Sequence, residues 1–355
     1  LIIAIGIFLW SIMTAVCGLA KSFFQLFLAR VGVGVGEAAL TPAAYSMIAD
    51  YFSEDKLGKA MGAYKSGAMV GGGLAFIIGG AVVGYVVNSE SIILPLLGEM
   101  KPWQIAFIIV GLPGVLIGLL MLTVREPKRT GIEDSLETKV SISDAIRYMR
   151  KRWRLYLFIF LGFAFMATPI STALTWIPVY LQRIHQMSIA DSGKTLGVII
   201  FFLSTTGVLF SGWLIDFFKK KGYKDGYFKV ALSICIVTVP IVYFVMNDES
   251  LDNTLWWLHL FVFVASMPLV ISATVLQIVT PNQLRAQVSA VYMLFLNLIT
   301  ALLATTGIGF ITDFWFGDEM ALGQSITSVN LISMILAFSC LYIAKRNFNK
   351  EFTKS

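Results

Sequence analysis

The stretch Gly212-Trp213-Leu214-Ile215-Asp216-Phe217-Phe218-Lys219-Lys220-Lys221-Gly222 closes a long apolar run with one carboxylate and then three consecutive lysines. An apolar helix that ends this way leaves hydrocarbon for water, because cations at a helix end stay on the polar side of the boundary. The glycine permits close helix approach, and the carboxylate can interact with the N-terminus of a neighbouring helix. Working outward, the run from 192 to 218 is one of ten; the others cover 1 to 20, 23 to 52, 57 to 87, 103 to 124, 153 to 183, 227 to 247, 255 to 280, 285 to 313 and 325 to 345. About 20 apolar residues cross a ~30 Å hydrocarbon core as a helix, so each run is a candidate span. Only 14% of the 355 residues are charged and 57% are hydrophobic, against roughly 25% charged in soluble domains. The expectation is an all-α polytopic membrane protein.

Basic residues gather in alternate connections. Of 27 Lys and Arg, 21 fall in the set formed by 53 to 59, 125 to 154, 219 to 229, 281 to 287 and the tail from Lys345, and only Lys21, Lys101, Arg183 and Lys194 fall in the other set. Because basic residues near helix ends are retained in the cytoplasm, both ends are expected there, in a plasma membrane such as the bacterial inner membrane. The basic loops are thereby explained without nucleic acid. Cys17, Cys235 and Cys340 sit inside apolar spans without short spacing, which argues against a disulfide framework or a metal site. No signal peptide is visible before Leu1, and the true N-terminus is expected to be absent.

The polar stretch 125 to 152 divides the chain into a four-helix bundle over 1-124 and a six-helix bundle with a tail over 153-355. Within it, Ser141 and Asp144 resemble a capping box, and Ile142, Ile146, Met149 and Trp153 recur at helical spacing between basic residues. This reads either as a short amphipathic helix on the anionic inner leaflet or as a charged linker. A faint repeat relates Lys59-Ala60-Met61-Gly62-Ala63-Tyr64 to Gln287-Val288-Ser289-Ala290-Val291-Tyr292, each opening a span after a polar loop. In that register the first half lacks two spans that the second half has.

The motif at Gly212 resembles the Gly-x-x-x-Asp-x-x-x-x-Lys/Arg signature that major facilitator proteins carry after the second helix of each half. That resemblance implies a latch made by Gly212, Asp216 and Lys220, with Asp50 assigned to the same gating set. Arg30-Val31-Gly32-Val33-Gly34-Val35-Gly36-Glu37-Ala38-Ala39 is similar to the superfamily's Arg-x-x-x-Gly-x-Gly pattern on its fourth helix, with Glu37 in place of a small residue. Gly32 and Gly36 form a Gly-x-x-x-Gly pair suited to close packing in lipid. Gly62, Gly71, Gly79 and Gly80 resemble the antiporter-associated glycine pattern of the fifth helix, although Ala75-Phe76 stands where that pattern has Gly-Pro. Pro42, Ser46 and Asp50, the Trp176-Ile177-Pro178-Val179-Tyr180-Leu181 stretch and Pro281-Asn282-Gln283-Leu284-Arg285-Ala286-Gln287 look like the Spinster-like branch. The resemblance implies the major facilitator fold, with ten of twelve transmembrane helices present and Leu1 starting the third. It also implies lysolipid or sphingolipid transport as in animal members, and a chain that would not transport without the two missing helices.

Three charges lie well inside spans, Arg30, Glu37 and Lys65, and each is costly there unless paired or hydrated. Arg30 and Glu37 are seven residues apart, so they share a helix face about 10 Å apart along the axis. That suits a guanidinium and a carboxylate lining one cavity, as a proton-coupling pair with Arg30 also binding substrate; static pairing with the missing helices is the other reading. Lys65 either snorkels to the interface or faces the cavity. Asp50 would pair with a basic loop, and His259 reads as structural. Thr41 and Tyr45 continue the Arg30 face, while Thr172, Thr175, Gln277 and Asn297 are polar positions in the second half that either bind substrate or link helices.

No Gly-rich loop followed by Lys-Ser/Thr is present, so a nucleotide is not the expected energy source, and no cofactor is expected. An intramembrane enzyme would need paired acids or a metal set deep in the spans, and neither appears. The reading is a monomeric secondary transporter working by alternating access, with protons, membrane lipids and a small-molecule or lipid-like substrate as its partners. An anionic or zwitterionic amphiphile such as a lysolipid is the leading substrate class and a small organic acid or drug-like compound the alternative; a non-transporting membrane receptor is the rival from another class.

Overall fold

The computed structural model describes residues 1–38, 40–51, 54–86, 92–94, 98–125, 142–223 and 225–352. Every predicted span is helical over most of its length. In chain order the helices are α1 (Ile2–Cys17), α2 (Phe23–Ala38), α3 (Leu40–Tyr51), α4 (Glu54–Val86), α5 (Pro102–Met121), α6 (Ile142–Lys151), α7 (Trp153–Met166), α8 (Thr168–Thr175) and α9 (Ile177–Arg183). They continue with α10 (Ile189–Ile199), α11 (Thr205–Lys220), α12 (Gly226–Asn247), α13 (Leu251–Ser266), α14 (Pro268–Val279), α15 (Arg285–Thr300), the single turn α16 (Ile308–Phe310) and α17 (Leu322–Phe352). Among the described residues, a two-stranded antiparallel hairpin, β1 (Ile92–Leu94) with β2 (Gly98–Met100), departs from the all-α expectation. Seven described helical runs are long and apolar enough to cross a membrane, and Ile2–Cys17 and Ser66–Val82 are shorter apolar helices.

Several predicted spans are interrupted. The span from 153 is broken at Ala167 and Trp176, and the span from 255 at Met267. Pro169, Pro178 and Pro268 stand in the first turn of the segment after each break, where a missing N–H costs little. Ile200–Ser204, Ala301–Gly307 and Ile311–Phe316 are π-helical, a register shift that often marks functional helices. The stretch quoted first ends in a Schellman turn: Gly222 takes φ +82°, and the Tyr223 N–H donates to the Phe218 carbonyl at 3.1 Å. Local side chains start other helices. The Ser22 hydroxyl accepts from the Gln25 N–H at 3.3 Å at the head of α2, and the Ser188 hydroxyl accepts from the Asp191 N–H at 3.0 Å at the head of α10.

The chain divides into two compact units, Leu1–Met61 with Ile78–Glu137, and Gly62–Ile77 with Thr138–Ser355. In the first unit α1 packs against both α2 and α5 across seams of small residues. A Cβ at Gly36 would lie 2.8 Å from the Trp10 backbone nitrogen and 2.9 Å from the Gly6 carbonyl oxygen, so only glycine lets α2 come this close to α1. Gly111 of α5 meets the Ala15 backbone equally closely, at 2.7 Å. Cys17, Ala29 and Val33 are buried between them.

The second unit has a larger core, in which Phe163, Tyr180, Phe228 and Phe261 are fully buried. α17 packs against α7 and α12. At one end of that contact Asp225 receives Lys229 at 3.5 Å and Lys345 at 3.3 Å, while the Asn349 amide donates to it at 3.5 Å. Burial would push the Asp225 carboxyl up, but the Lys345 ammonium, the Asn349 amide and Lys229 together hold it below the ordinary value of 3.8. A carboxylate depressed on folding contributes stability that is present above its unfolded pKa and lost as pH falls through the lower folded value. Asp225→Asn is therefore expected to destabilise the protein by on the order of 1 kcal/mol at neutral pH. In thermal unfolding the gap between wild type and variant should close as pH drops below the ordinary carboxylate range; a gap constant from pH 7 to 3 would remove the ion pairs as its cause.

Candidate functional site

In the first unit, α2 buries Ala29, Val33 and Gly36 towards α1 and leaves Arg30, Gly34 and Glu37 exposed. At spacings of four and three these residues line one side of the helix. A Cβ at Gly34 would meet no described atom within 4 Å, so the line is a cation, an open notch and a carboxylate, with roughly 10 Å between the charged positions along the axis. Neither charge has an ion-pair partner among the described residues. Phe27, Val31 and Val35 are exposed beside this line, so the cation has an apolar flank on its own helix. The predicted positions Thr41, Tyr45 and Asp50 of α3 and Lys65 of α4 have side chains that lie outside the described ones, as does Ser141.

The second unit separates residues that look equivalent in sequence. The Tyr156 hydroxyl donates to the Val279 carbonyl at 2.9 Å, and Arg285 Nε donates to the Gln277 carbonyl at 3.1 Å, so Gln277 belongs to the Tyr156 end of the bundle. Thr175 lies roughly 28 Å along the axis from Tyr156 at 1.5 Å per residue, and its hydroxyl donates to the Ser171 carbonyl at 2.9 Å. The two do not share a site. Asn297 is exposed on α15 near mid-bundle, since Phe160 packs against Tyr292 and Phe295 at ring distances of 5.7 and 5.6 Å. There the breaks of the two interrupted spans meet: Ala167 and Pro268 line one crevice with Phe163, Ile170, Ser272 and Tyr292. Leu294, Leu298 and Leu302 are exposed on either side of Asn297, which makes this stretch an apolar stripe with one amide.

Thr172 is fully buried and links helices, accepting from the Asn330 amide of α17 at 3.3 Å. Sequence reasoning quoted Trp176 in a motif but gave it no role; its indole N–H donates to the Ala304 carbonyl at 2.7 Å inside a π-helical stretch while its ring lies 3.3 Å from where a Gly309 Cβ would be. A π turn frees a carbonyl, and the indole satisfies it. Asp216 and Lys220 are exposed on α11 without an ion pair among the described residues, and a Cβ at Gly212 would meet no described atom within 4 Å. On α11 the close approach is made by Gly207, against the Phe263 backbone; on α4 a Cβ at Gly73 would lie 2.7 Å from the Gly197 carbonyl oxygen, while Gly71 and Gly79 are open. His259 lines a groove of about 550 Å³ with Leu203, Asp252, Leu255, Trp256, Leu260 and Phe263, which contains none of the predicted site residues.

Broken apolar helices, glycine seams and exposed charges on a tightly packed helix are an arrangement that polytopic membrane transporters use. The family profile described as Major Facilitator Superfamily matches residues 1–305, and the chain belongs to that family. It is 26% identical over 352 residues to an MFS-type efflux pump of Mycolicibacterium smegmatis, covering 97% of this chain and 76% of that protein. It is 28% identical to a D-galactonate transporter of Escherichia coli over 65% of this chain and 55% of the other. Protein spinster homolog 1 of Xenopus tropicalis is 31% identical over 52% of this chain and 33% of its own length. In fold the chain resembles a bacterial homologue of the human lysosomal transporter Spinster in an inward-facing, unoccupied conformation, with TM-score 0.71, 24% identity and coverage of 98% of this chain and 83% of the other. The protein is therefore a secondary transporter of the major facilitator type, with Spinster homologues among its relatives.

Proposed function

We propose that this transporter moves an anionic or zwitterionic amphiphile, lysolipid-like in chemistry, and that its transport is coupled to protons. The reading is carried by the Arg30–Gly34–Glu37 line: a guanidinium with an open notch beside it and an apolar flank of Phe27, Val31 and Val35. Arg30 would hold phosphate or carboxylate in bidentate fashion, which a lysine does not reproduce. Glu37 would carry the proton, because a carboxyl in a span changes its charge as its hydration and its distance from Arg30 change. Gly212, Asp216, Lys220 and Asp50 remain the proposed latch. An amphiphile is also what the sequence resemblance to the Spinster-like branch implies.

The galactonate transporter among the relatives favours the second reading, a small organic acid, which also needs Arg30 but no apolar flank. Competition for transport by a chain-length series sharing one head group separates the two. For an amphiphile, affinity should rise with each methylene by up to about 0.8 kcal/mol, roughly fourfold, and Arg30→Lys should weaken every member alike. Affinity independent of chain length, with tight binding of the bare acid, overturns the amphiphile reading.

A further inference from the structure

α6 has three distinct sides. Towards the bundle it buries Ala145 fully and packs Tyr148 and Met149 against the core of the second unit. Arg152, at the junction with α7, fixes this contact. Its guanidinium donates to the Tyr148 hydroxyl at 2.7 Å, lies 5.0 Å from the Tyr148 ring centroid, and pairs with Glu351 of α17 at 3.4 Å. α6 is thus fastened to the end of a membrane bundle.

Its other two sides are unlike each other. Ile142 and Ile146, one helical turn apart, are 65% and 52% exposed, and Trp153 just beyond the helix is 52% exposed. Next to them Arg147, Arg150, Lys151 and Arg154 are all exposed. Arg154 lies 5.4 Å from the Trp153 ring centroid. Arg147 shares Asp144 at 3.6 Å in a solvent-facing pair, and Arg150, Lys151 and Arg154 have no acidic partner among the described residues. An apolar edge beside a cationic one, on a helix docked where a span ends, matches the boundary between acyl chains and anionic head groups. Such a boundary supplies hydrocarbon for the two isoleucines and the indole, and phosphates for the guanidinium forks.

We infer that this face of α6 is a binding site for anionic phospholipid, with Ile142, Ile146 and Trp153 against the acyl region and Arg147, Arg150, Lys151 and Arg154 on the phosphates. It uses none of the residues of the proposed transport line on α2 and does not depend on the substrate class. Native mass spectrometry of the intact protein with phosphatidylglycerol or phosphatidylcholine tests it. The wild type should retain phosphatidylglycerol preferentially, and raised salt should reduce that preference. Replacing the four basic residues with Gln should lower it at least tenfold, since each cation contributes roughly fivefold. Ile142→Ser with Ile146→Ser should weaken retention of both lipids and leave the ratio between them. These substitutions are all at exposed positions, and the salt titration of the wild type reads the same contact without any substitution. An unchanged preference in the Gln variant, a salt-independent preference, or displacement of the lipid by free inorganic phosphate at equal concentration would each overturn the assignment.

Discussion

In the full-length protein, Glu37→Gln should abolish the dependence of transport on a pH gradient while exchange of substrate across the membrane persists. The amide has the shape of the acid and keeps two polar atoms at the same place on α2, so the exposed line with Arg30 and Gly34 is preserved. It cannot gain or lose a proton at working pH. A coupled carrier needs a group whose protonation differs between its two access states, and Glu37 is the acid among the three charges well inside the spans. In vesicles, gradient-driven uptake should fall to the level of a collapsed gradient, and counterflow with substrate on both sides should continue. Gradient-driven uptake equal to wild type would move the coupling role away from Glu37. Loss of uptake and counterflow together would mean that the carboxylate binds substrate instead.

The ten apolar runs were legible as helices because hydrocarbon demands some 20 apolar residues in a row, and seven of them correspond to described helical runs long and apolar enough to cross a membrane. The seam at Gly32 and Gly36 was equally legible, because Gly-x-x-x-Gly has one main use in lipid. Interruptions inside the spans were less so. Pro169, Pro178 and Pro268 signalled the breaks at Ala167, Trp176 and Met267, but an apolar run of the right length concealed them. The π-helical stretch Ala301–Gly307 has no comparable local signal; its freed carbonyl at Ala304 is met by an indole 128 residues away in the chain. Polar residues within spans were the hardest to assign. Thr172 and Thr175 are three apart on α8, yet one is buried against Asn330 and the other is exposed, and Gln277 lies at the other end of the bundle from Thr175. Helix rotation and axial level decide these roles, and both depend on tertiary packing.

The two glycines on either side of Val35 provide the sharpest contrast in the molecule. Gly36→Leu should disrupt the first unit, whereas Gly34→Leu should leave it folded and block transport. At Gly36 the first added carbon already lies within 3 Å of backbone atoms of Gly6 and Trp10, so α2 must move away from α1. Overpacking of this kind costs typically 1 to 3 kcal/mol, and more where the obstacle is backbone rather than a side chain that can turn aside. At Gly34 the added carbon meets no described atom within 4 Å, and leucine is favoured over glycine in a helix by up to about 1 kcal/mol. Its isobutyl group would nevertheless fill the notch between Arg30 and Glu37. If a head group binds there, losing one charge-assisted hydrogen bond to the guanidinium lowers affinity by roughly tenfold or more. The two effects separate in one pair of measurements, thermal unfolding in detergent and substrate binding at saturating protein. The expected pattern is a lowered melting temperature for Gly36→Leu and an unchanged one for Gly34→Leu, with binding lost in the latter. Wild-type binding by Gly34→Leu would show that substrate does not occupy the notch, and α2 would then present its charges to something other than the transported molecule.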